Sequence, residues 1–268
     1  MSEGTRELPR RVWRESRILE DSDTVICEIP VALVYNGISH AVMMATPVAL
    51  SDLAMGFSLT EKILDRPDQM LGLDIIQRDN GIELAMEITG AAFAGLKERR
   101  RNLAGRTGCG LCGIEALDQL LPPPQPVESA IRVSHQAIQE ALAALGQQQV
   151  LKTATGGVHG AAWCRPSGEI LLLQEDVGRH NALDKLLGAL LSAQMDDEGF
   201  VLVTSRASYE MVAKLAVCRR AILVAVSAPT DLAVEYAREA GVTLVAFAQA
   251  GRQVVYSHSE RIQEVNSQ

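Results

Sequence analysis

The sequence contains no run of about twenty apolar residues, and its first residues lack the apolar stretch of a signal peptide. It has no basic excess either, since 25 Lys and Arg stand against 33 Asp and Glu and give a net charge of −8. Membranes and nucleic acids are therefore not expected as partners. Five scattered cysteines, an odd number in a chain of 268 residues that can bury a large core, argue against structural disulfides. We expect a cytoplasmic protein with reduced thiols.

Two cysteines, Cys109 and Cys112, stand three residues apart in the glycine-rich segment 105–113. The flanking glycines are expected to leave the sulfurs exposed and the backbone free to bend. An apolar helical pattern begins just afterwards, at Ile114, and a helix start favours the thiolate form of a preceding cysteine. Basic residues within 97–106 add positive charge. Since a thiolate can attack a disulfide or accept and pass on a sulfur atom, the pattern indicates thiol chemistry on a loop.

Other interpretations of this pair are half of a zinc site, a reversible disulfide, or two incidental cysteines. A structural zinc site needs four ligands. The remaining cysteines, Cys27, Cys164 and Cys218, stand alone in apolar stretches that are typical of core packing. We therefore expect no structural metal. A thioredoxin-like motif belongs at a strand-to-helix junction, whereas a helix and a basic run precede this pair.

The first hundred residues are predicted to mix hairpins and helices. The predicted elements are a hairpin at 24–45 around Asn36-Gly37, a hairpin at 73–88 around Asp79-Asn80-Gly81, a helix at 51–64 capped by Ser51, and a helix at 91–103. The proline-rich segment 122–126 then marks the clearest boundary. It divides the chain into a hairpin-and-helix domain at 1–104, a mobile cysteine loop with its linker at 105–126, and a second domain at 127–268.

Beyond this boundary, short apolar strands alternate with amphipathic helices. The predicted strands are 169–174, 200–204, 221–227 and 243–248, and the predicted helices are 134–146, 181–194, 207–218 and 230–240. This alternation predicts an α/β fold, in which a sheet with helices on both faces follows an α+β N-terminal part. Ligands of such folds bind at the carboxyl ends of the strands, and polar clusters follow three of these strands.

The first polar cluster, 175–185, places Arg179, His180 and Asn181 between an apolar strand and an apolar helix. An arginine beside the exposed amides of a helix start is suited to binding phosphate. Acidic residues at a solvated helix start are the alternative explanation, because they favour the helix dipole. That alternative does not explain the arginine, the histidine and the asparagine, so we favour a binding or catalytic role.

The second cluster has Ser205, Arg206 and Ser208 in the same position after the next strand, and the same argument applies to it. The third is more ordinary. Pro229 and Thr230 are good helix-start residues, so capping alone explains them.

Two glycine turns complete the candidates. His159 follows Gly156 and Gly157, where it could act as an acid or base or be merely structural. The segment 247–252 ends a strand with a basic glycine turn that could face a phosphate.

Taken in order, these segments resemble one family, the FdhD family of formate dehydrogenase accessory sulfurtransferases. The resemblance runs from about residue 25 to about residue 256. It is carried by Glu28-Ile29-Pro30-Val31-Ala32-Leu33, Asn36-Gly37, Thr46-Pro47, Gly108-Cys109-Gly110-Leu111-Cys112-Gly113, Thr155-Gly156-Gly157-Val158-His159, Glu175-Asp176-Val177-Gly178-Arg179-His180-Asn181-Ala182-Leu183-Asp184-Lys185, Ser205-Arg206-Ala207-Ser208 and Ser227-Ala228-Pro229-Thr230. The block at 175–185 is the most specific of them.

The resemblance implies a homodimer whose C-terminal domain is similar to the cytidine deaminase fold. It also implies a sulfurtransferase that takes persulfide sulfur from a cysteine desulfurase. The sulfur would pass to the molybdenum cofactor, in its bis(molybdopterin guanine dinucleotide) form, before that cofactor enters formate dehydrogenase. On this resemblance Cys109 would carry the persulfide, and Cys112 would assist in relay or disulfide resolution.

The same resemblance implies where the cofactor, a bound substrate with guanine nucleotide moieties, would be held. The implied contacts are Phe247, Ala248, Gln249, Ala250, Gly251 and Arg252, together with His159, Arg179, His180, Asn181, Ser205, Arg206 and Ser208. One departure concerns the turn, since relatives commonly have arginine and glycine where this chain has Gln249 and Ala250. The zinc signature of true deaminases is missing, because Ala161 stands where the His-x-Glu motif needs glutamate.

Two other functions remain as alternatives. The first is a non-catalytic chaperone that binds and delivers the cofactor, with the cysteine pair as a redox latch. The second is a zinc-dependent hydrolase, which would require stoichiometric zinc.

Overall fold

The structure is a computed structural model that describes residues 3–104, 124–195 and 198–264. The predicted cysteine pair, Cys109 and Cys112, and most of the predicted linker lie outside these residues.

The described residues form fourteen strands and seven α-helices. The strands are β1 (Thr5–Arg14), β2 (Arg17–Ile26), β3 (Ile29–Tyr35), β4 (Ile38–Ala45), β5 (Met70–Arg78), β6 (Gly81–Ile88), β7 (Val133–Ser134), β8 (His159–Cys164), β9 (Ile170–Asp176), β10 (Phe200–Val203), β11 (Ile222–Ala225), β12 (Thr243–Gln249), β13 (Arg252–Val255) and β14 (Ile262–Gln263). The helices are α1 (Leu50–Thr60), α2 (Gly90–Ala104), α3 (His135–Gln148), α4 (Val150–Thr155), α5 (Arg179–Ser192), α6 (Tyr209–Val217) and α7 (Asp231–Glu239). Single 3-10 turns lie at Pro67–Gln69 and Ser259–Arg261.

The N-terminal part contains a four-stranded sheet in the order β4-β3-β6-β5. The two predicted Asn-Gly turns are confirmed, since β3 pairs with β4 and β5 pairs with β6 in antiparallel hairpins. Asn36 and Gly37 both have positive φ, at 45° and 79°, as the tight turn requires. Alternate residues of β3, Val31, Leu33 and Tyr35, are fully buried against α1. The sheet therefore has an inner face on the core and an outer face.

The first two strands form a feature that the sequence analysis did not predict. Among the strands that the structure describes, β1 and β2 pair only with each other, as an antiparallel ribbon of ten residues per strand that we call the arm (residues 5–26). The predicted continuous strand at 24–35 is wrong, because the chain breaks pairing at Cys27 and Glu28, between β2 and β3. Most arm residues are exposed on both faces, so no alternation of burial marks these strands.

The C-terminal part contains a six-stranded mixed sheet in the order β13-β12-β11-β10-β8-β9. β10, β11 and β12 are parallel, while β8 runs antiparallel to both β9 and β10. Every residue of β10 and β11 is buried, so both faces of the central sheet are covered, as predicted. β8 and β13 are additional to the predicted strands, because β8 begins in a predicted glycine loop and β13 in a predicted turn.

Two predicted helix starts have different outcomes. Thr230 is the N-cap of α7, and its hydroxyl accepts from the Ala233 amide at 3.2 Å, which confirms its capping role. The cap predicted at Ser51 is wrong. α1 begins at Leu50, and its N-cap is Ala49, which has a φ of 50° and no side-chain cap.

The two parts meet where α1 crosses α5. A Cβ atom on Gly56 would lie 1.8 Å from the Asp184 carbonyl oxygen, and one on Gly188 would lie 2.0 Å from that of Asp52. No side chain fits between the backbones at this crossing. The helices therefore touch directly, and this contact joins two clusters of buried apolar side chains, one in each part.

Candidate functional site

Most of the predicted site residues meet at one edge of the six-stranded sheet, which we call the polar edge. β9, β10, β11 and β12 all end there, and β8 begins there, because β8 is antiparallel to its neighbours. Hydrogen bonds connect the successive loops: Thr204 N–H donates to Gly160 O at 3.0 Å, Ser227 N–H to Ser205 O at 3.4 Å, and Phe247 N–H to Ser227 O at 3.0 Å. The structure thus brings together 159–160, 176–181, 204–208, 227–230 and 247–252.

The cluster at 175–185 separates into buried and outward-facing residues. Asp176 and Lys185 form an ion pair of 2.6 Å with both side chains fully buried. Thr46 closes this pair from the N-terminal part: its N–H donates to Asp176 at 3.0 Å, and its carbonyl accepts from Lys185 at 2.9 Å. The Thr46 hydroxyl also accepts from the Val177 amide at 3.2 Å. This loop of the N-terminal part therefore fixes the start of α5.

Asn181 belongs to the same buried network. Its side-chain amide donates to Met44 O at 2.8 Å and to Asp176 Oδ1 at 3.0 Å, and the side chain is almost fully buried. Both amide hydrogens are thereby used. Cofactor binding by Asn181 stays a prediction, and only its side-chain oxygen is left to make such a contact.

The acid that precedes Asp176 also has a structural role. Glu175 is buried, and its carboxylate accepts from the amides of Leu151 and Lys152 at 2.8 and 2.9 Å. These amides belong to the start of α4, where unpaired N–H groups favour a carboxylate. The solvated helix start considered from the sequence is therefore wrong for this acid, which is buried and serves a different helix.

A second buried network lies at the crossing of α1, α5 and α6. Lys214 contacts Asp184 at 3.0 Å and Glu61 at 2.9 Å. Thr60 accepts from Lys214 at 2.9 Å and donates to Asp184 at 2.8 Å. Burial raises the pKa of Asp184, and Lys214 and Thr60 oppose this rise. This network thus connects the N-terminal part to the C-terminal part behind the polar edge.

Three residues of the polar edge, Arg179, His180 and Ser208, have buried side-chain atoms without a hydrogen-bond partner among the described residues. Arg179 Nε and Ser208 Oγ are buried, and neither has a hydrogen-bond partner among the described residues. They stand at the starts of α5 and α6, on neighbouring loops. Buried polar atoms in native proteins are nearly always paired. A guanidinium and a hydroxyl in this position suit the phosphate or base oxygens of a nucleotide.

Two histidines lie beside these atoms. His180 Nε2 is 2.7 Å from Glu210 Oε2, a contact with α6 that the sequence analysis missed. Burial lowers the pKa of His180, against the opposing charge of Glu210, and Arg179 lowers it further. Burial likewise lowers the pKa of His159, helped by Arg179 and Lys152. Both rings are therefore predominantly neutral at pH 7, and each can donate and accept one hydrogen bond.

The serine and arginine of the second cluster differ in availability. The Ser205 hydroxyl is buried and donates to Arg206 O at 3.0 Å, so it is used within its own loop. The Arg206 side chain is exposed. Among the predicted residues of this loop, Arg206 and Ser208 are therefore the ones available for a ligand.

The predicted turn at 247–252 is a hairpin between β12 and β13. The Arg252 guanidinium lies 5.4 Å from the centre of the Phe247 ring, and Gly251 has a φ of 73°. Gln139 of α3 anchors the turn by accepting from the Gly251 amide at 2.8 Å. Gln249, Ala250, Gly251 and Arg252 are exposed.

Ala248 requires a correction. Its side chain is fully buried in the C-terminal core. The predicted cofactor contact of this residue can therefore come only from its backbone.

The three described cysteines are unpaired, and two of them have weakly acidic thiols. Burial raises the pKa of Cys164 to about 12, and it does the same for Cys218. Such thiols are poor nucleophiles at neutral pH. Core packing is thus confirmed for Cys164, which is fully buried, while Cys27 and Cys218 are half-buried.

In residues 3–104, 124–195 and 198–264, no cluster of three or more His, Cys, Asp or Glu side chains is arranged to hold a metal ion. Over the same ranges, no helix is long and apolar enough to cross a membrane.

Comparison with known proteins decides the family. The sequence profile of the FdhD/NarQ family matches residues 26–263. The chain belongs to the FdhD/NarQ family. Two relatives in this family carry the name sulfur carrier protein FdhD. The one from Cupriavidus necator is 53% identical over 94% of this chain and 88% of its own length, and the one from Variovorax paradoxus is 47% identical over 95% and 92%.

The fold of this chain is similar to that of a solved structure. It is the crystal structure of a protein from Desulfotalea psychrophila described as a formate dehydrogenase accessory protein, with a TM-score of 0.74. The match covers 97% of this chain and 99% of that chain at 22% identity. At that identity the likeness supports the mixed α/β fold alone.

Proposed function

We propose that the protein is a sulfur carrier in the maturation of formate dehydrogenase. In the finer form of this proposal, a cysteine desulfurase donates persulfide sulfur to Cys109, and the sulfur passes to bis(molybdopterin guanine dinucleotide). Formate dehydrogenase then receives the cofactor. The family and the names of its relatives support the coarser statement. Persulfide chemistry, cofactor binding, a homodimer, a cytoplasmic location and a cytidine deaminase-like domain are parts of the proposal.

One observation carries the nucleotide half of the proposal. Among the described residues, Arg179 Nε and Ser208 Oγ are buried without hydrogen-bond partners at the starts of α5 and α6, and His159 and His180 lie close to Arg179. A guanine dinucleotide offers pyrophosphate oxygens to the arginines and a donor–acceptor edge to the hydroxyl and the imidazoles. A polar edge with these groups fits such a substrate better than a neutral metabolite.

The sulfur half of the proposal follows the chemistry of thiols. The Cys109 thiolate attacks the terminal sulfur of the donor's persulfide, and a new S–S bond forms at Cys109. The donor's S–S bond breaks, and the donor cysteine leaves as a thiolate. No net oxidant is needed, because one disulfide-type bond replaces another. The described thiols Cys164 and Cys218 are poor candidates for this step, since burial raises the pKa of both.

Intact-mass spectrometry tests the sulfur half. After incubation with a cysteine desulfurase and cysteine, the protein should gain one sulfur atom that reduction removes. Cys109→Ala should abolish the gain, while Cys27→Ala, which changes a half-buried thiol in the N-terminal part, should preserve it. Full loading of the Cys109→Ala variant would defeat the assignment.

The same experiment separates the proposal from its main rival, a cofactor-binding chaperone with a redox latch. Both functions require nucleotide affinity, which calorimetry with GDP measures. Arg179→Gln should weaken GDP binding by on the order of tenfold or more, because a buried charge-assisted hydrogen bond is lost. GDP binding without any sulfur gain would favour the chaperone.

A further inference from the structure

The arm exposes apolar side chains on both of its faces. In the register of the ribbon, Trp13 pairs with Ile18 on one face and Val12 pairs with Leu19 on the other. Trp13 is 72% exposed, and Ile18 and Leu19 are each 49% exposed. A two-stranded ribbon by itself is marginally stable at best in water. The end of the arm therefore needs a surface on which to pack.

The charges at the end of the arm indicate the sign of that surface. Arg14 and Arg17 lie directly opposite each other beside the turn, and both are exposed. Like charges in this position destabilise a ribbon. Arg10 and Arg11 are instead ion-paired with acids of β2 at 2.6 to 2.7 Å. Glu15 in the turn balances only one of the two facing charges, so the end of the arm favours an acidic surface.

The outer face of the four-stranded sheet has matching properties. The half of this face that β3 and β4 form is apolar. Val42 is 64% exposed and Met44 46% exposed, and they pair in register with Ala32 and Pro30. The half of the same face that β5 and β6 form is acidic, and its outward residues include Asp74, Glu83 and Glu87.

Two of these three acids are available for a partner. Glu83 is ion-paired with Arg78 at 3.0 Å. In the described part of the chain, Asp74 and Glu87 have no ion pair. The outer face thus has an apolar strip, formed by Pro30, Ala32, Val42 and Met44. Beside it lie two unbalanced negative charges, Asp74 and Glu87.

We infer that the arm of one copy lies across the outer face of the four-stranded sheet of a second copy. In this arrangement the ribbon face that carries Val12, Leu19, Arg14 and Arg17 lies on the outer face of the sheet, because side chains two residues apart in a strand share a face. Val12 and Leu19 then cover the apolar strip. Arg14 and Arg17 approach Asp74 and Glu87 of the second copy. Both complementary surfaces are on the same chain, so a two-fold axis satisfies both arms at once in a closed dimer.

The size of the arm is sufficient for such a dimer. Ten residues per strand span about 34 Å, and two strands are about 10 Å wide, so one ribbon face covers about 340 Å². Two exchanged arms that contact the second copy along their full length bury this area on four surfaces, or at most about 1,400 Å² in total. Stable interfaces bury about 1,200 to 2,000 Å².

The arm and the outer face are the surfaces through which the homodimer of the proposed function would form. The contact between them does not depend on sulfur transfer, and its test uses no sulfur donor and no nucleotide. Failure of one proposal is therefore distinguishable from failure of the other.

The test reverses charge on each surface separately. The arm variant carries Arg14→Glu and Arg17→Glu, and the face variant carries Asp74→Arg and Glu87→Arg. A control variant carries Arg132→Glu and Arg165→Glu, which matches the charge change of the arm variant but lies in the C-terminal part. Light scattering during gel filtration and sedimentation equilibrium give the mass and the dissociation constant, and circular dichroism verifies folding.

The wild type and the control should be dimers. Each surface variant alone should dissociate on the order of 100-fold more readily, because like charges then face each other across both contacts. An equimolar mixture of the two variants should recover the dimer, since each arm then meets a face of opposite charge. A monomeric wild type, surface variants that remain dimeric, or a mixture that stays monomeric would each overturn the inference.

Discussion

Two buried lysines in this protein differ in the number of carboxylates that neutralise their charge. Lys185 is fully buried and has one carboxylate, Asp176, at 2.6 Å, together with the Thr46 carbonyl. Lys214 is almost as buried but contacts two carboxylates, Asp184 and Glu61. Burial lowers the pKa of Lys185 despite Asp176, whereas the two acids outweigh burial and raise the pKa of Lys214.

The two networks therefore respond differently to loss of their cation. Asp176 is fully buried and accepts from backbone amides that hold it in place. Glu61 is 47% exposed, so water can solvate it when Lys214 is removed. The network of Lys185 is therefore the more rigid of the two, and it lies directly beneath Arg179 and His180.

The largest effect is expected from Lys185→Met. This change leaves the Asp176 carboxylate buried without a cation, which destabilises proteins by about 3 to 5 kcal/mol. Denaturant unfolding followed by circular dichroism measures the change in free energy. The matched control is Lys152→Met at an exposed helical lysine, which should change stability by about 0.5 kcal/mol or less. A loss of stability no greater than in this control would contradict the role given to Lys185.

A smaller effect is expected from Lys214→Met. Burial already raises the pKa of Asp184, so this acid can take up a proton once its cation is gone, and Glu61 can turn to solvent. We expect a loss of about 2 kcal/mol, within the range for one unsatisfied buried polar group. The same unfolding experiment measures it. If this variant is destabilised more than Lys185→Met, the comparison between the two networks fails.

The smallest effect is a difference in alkaline behaviour. The folded pKa of Lys214 is above 10.5, so its stabilisation is present below pH 10.5 and is lost as pH rises through the folded pKa. The folded pKa of Lys185 is below 10.5, so this residue adds stability as pH rises from its folded pKa to 10.5. As pH rises above 10.5, Lys214→Met should lose less stability than the wild type. As pH rises toward 10.5, Lys185→Met should gain less stability than the wild type.

Unfolding free energies between about pH 8 and about pH 11.5 test this difference. Parallel pH profiles for the two variants and the wild type would show that neither lysine titrates as described.

Much of the fold could be predicted because its signals are local. The Asn-Gly pair at 36–37 specifies a tight turn through positive φ at both residues, and Asp79-Asn80-Gly81 marks the second turn. The apolar alternation after residue 127 specifies buried strands and their helices. The arm could not be found in this way, since both of its faces are exposed. β8 was missed because Gly156 and Gly157 just before it indicate a turn, and its buried residues are short and apolar rather than alternating.

The site was predictable in position but not in detail. Polar residues after successive strands predicted the polar edge, because parallel strands end on one side of a sheet. The separation of Asp176, Asn181 and Lys185 from Arg179 and His180 depends on Thr46 and Met44, which lie more than a hundred residues earlier. No local pattern contains that information. Glu210 was missed for the same reason, since its partner His180 is on another helix.

The backbone contact between Gly56 and Gly188 has a consequence for engineering. Two helices that touch without intervening side chains cannot slide or tilt without a steric clash. Neither half is thus a portable module, and a chimera that joins the first hundred residues of one family member to the remainder of another must transplant both glycines and the loop at Thr46 as a set.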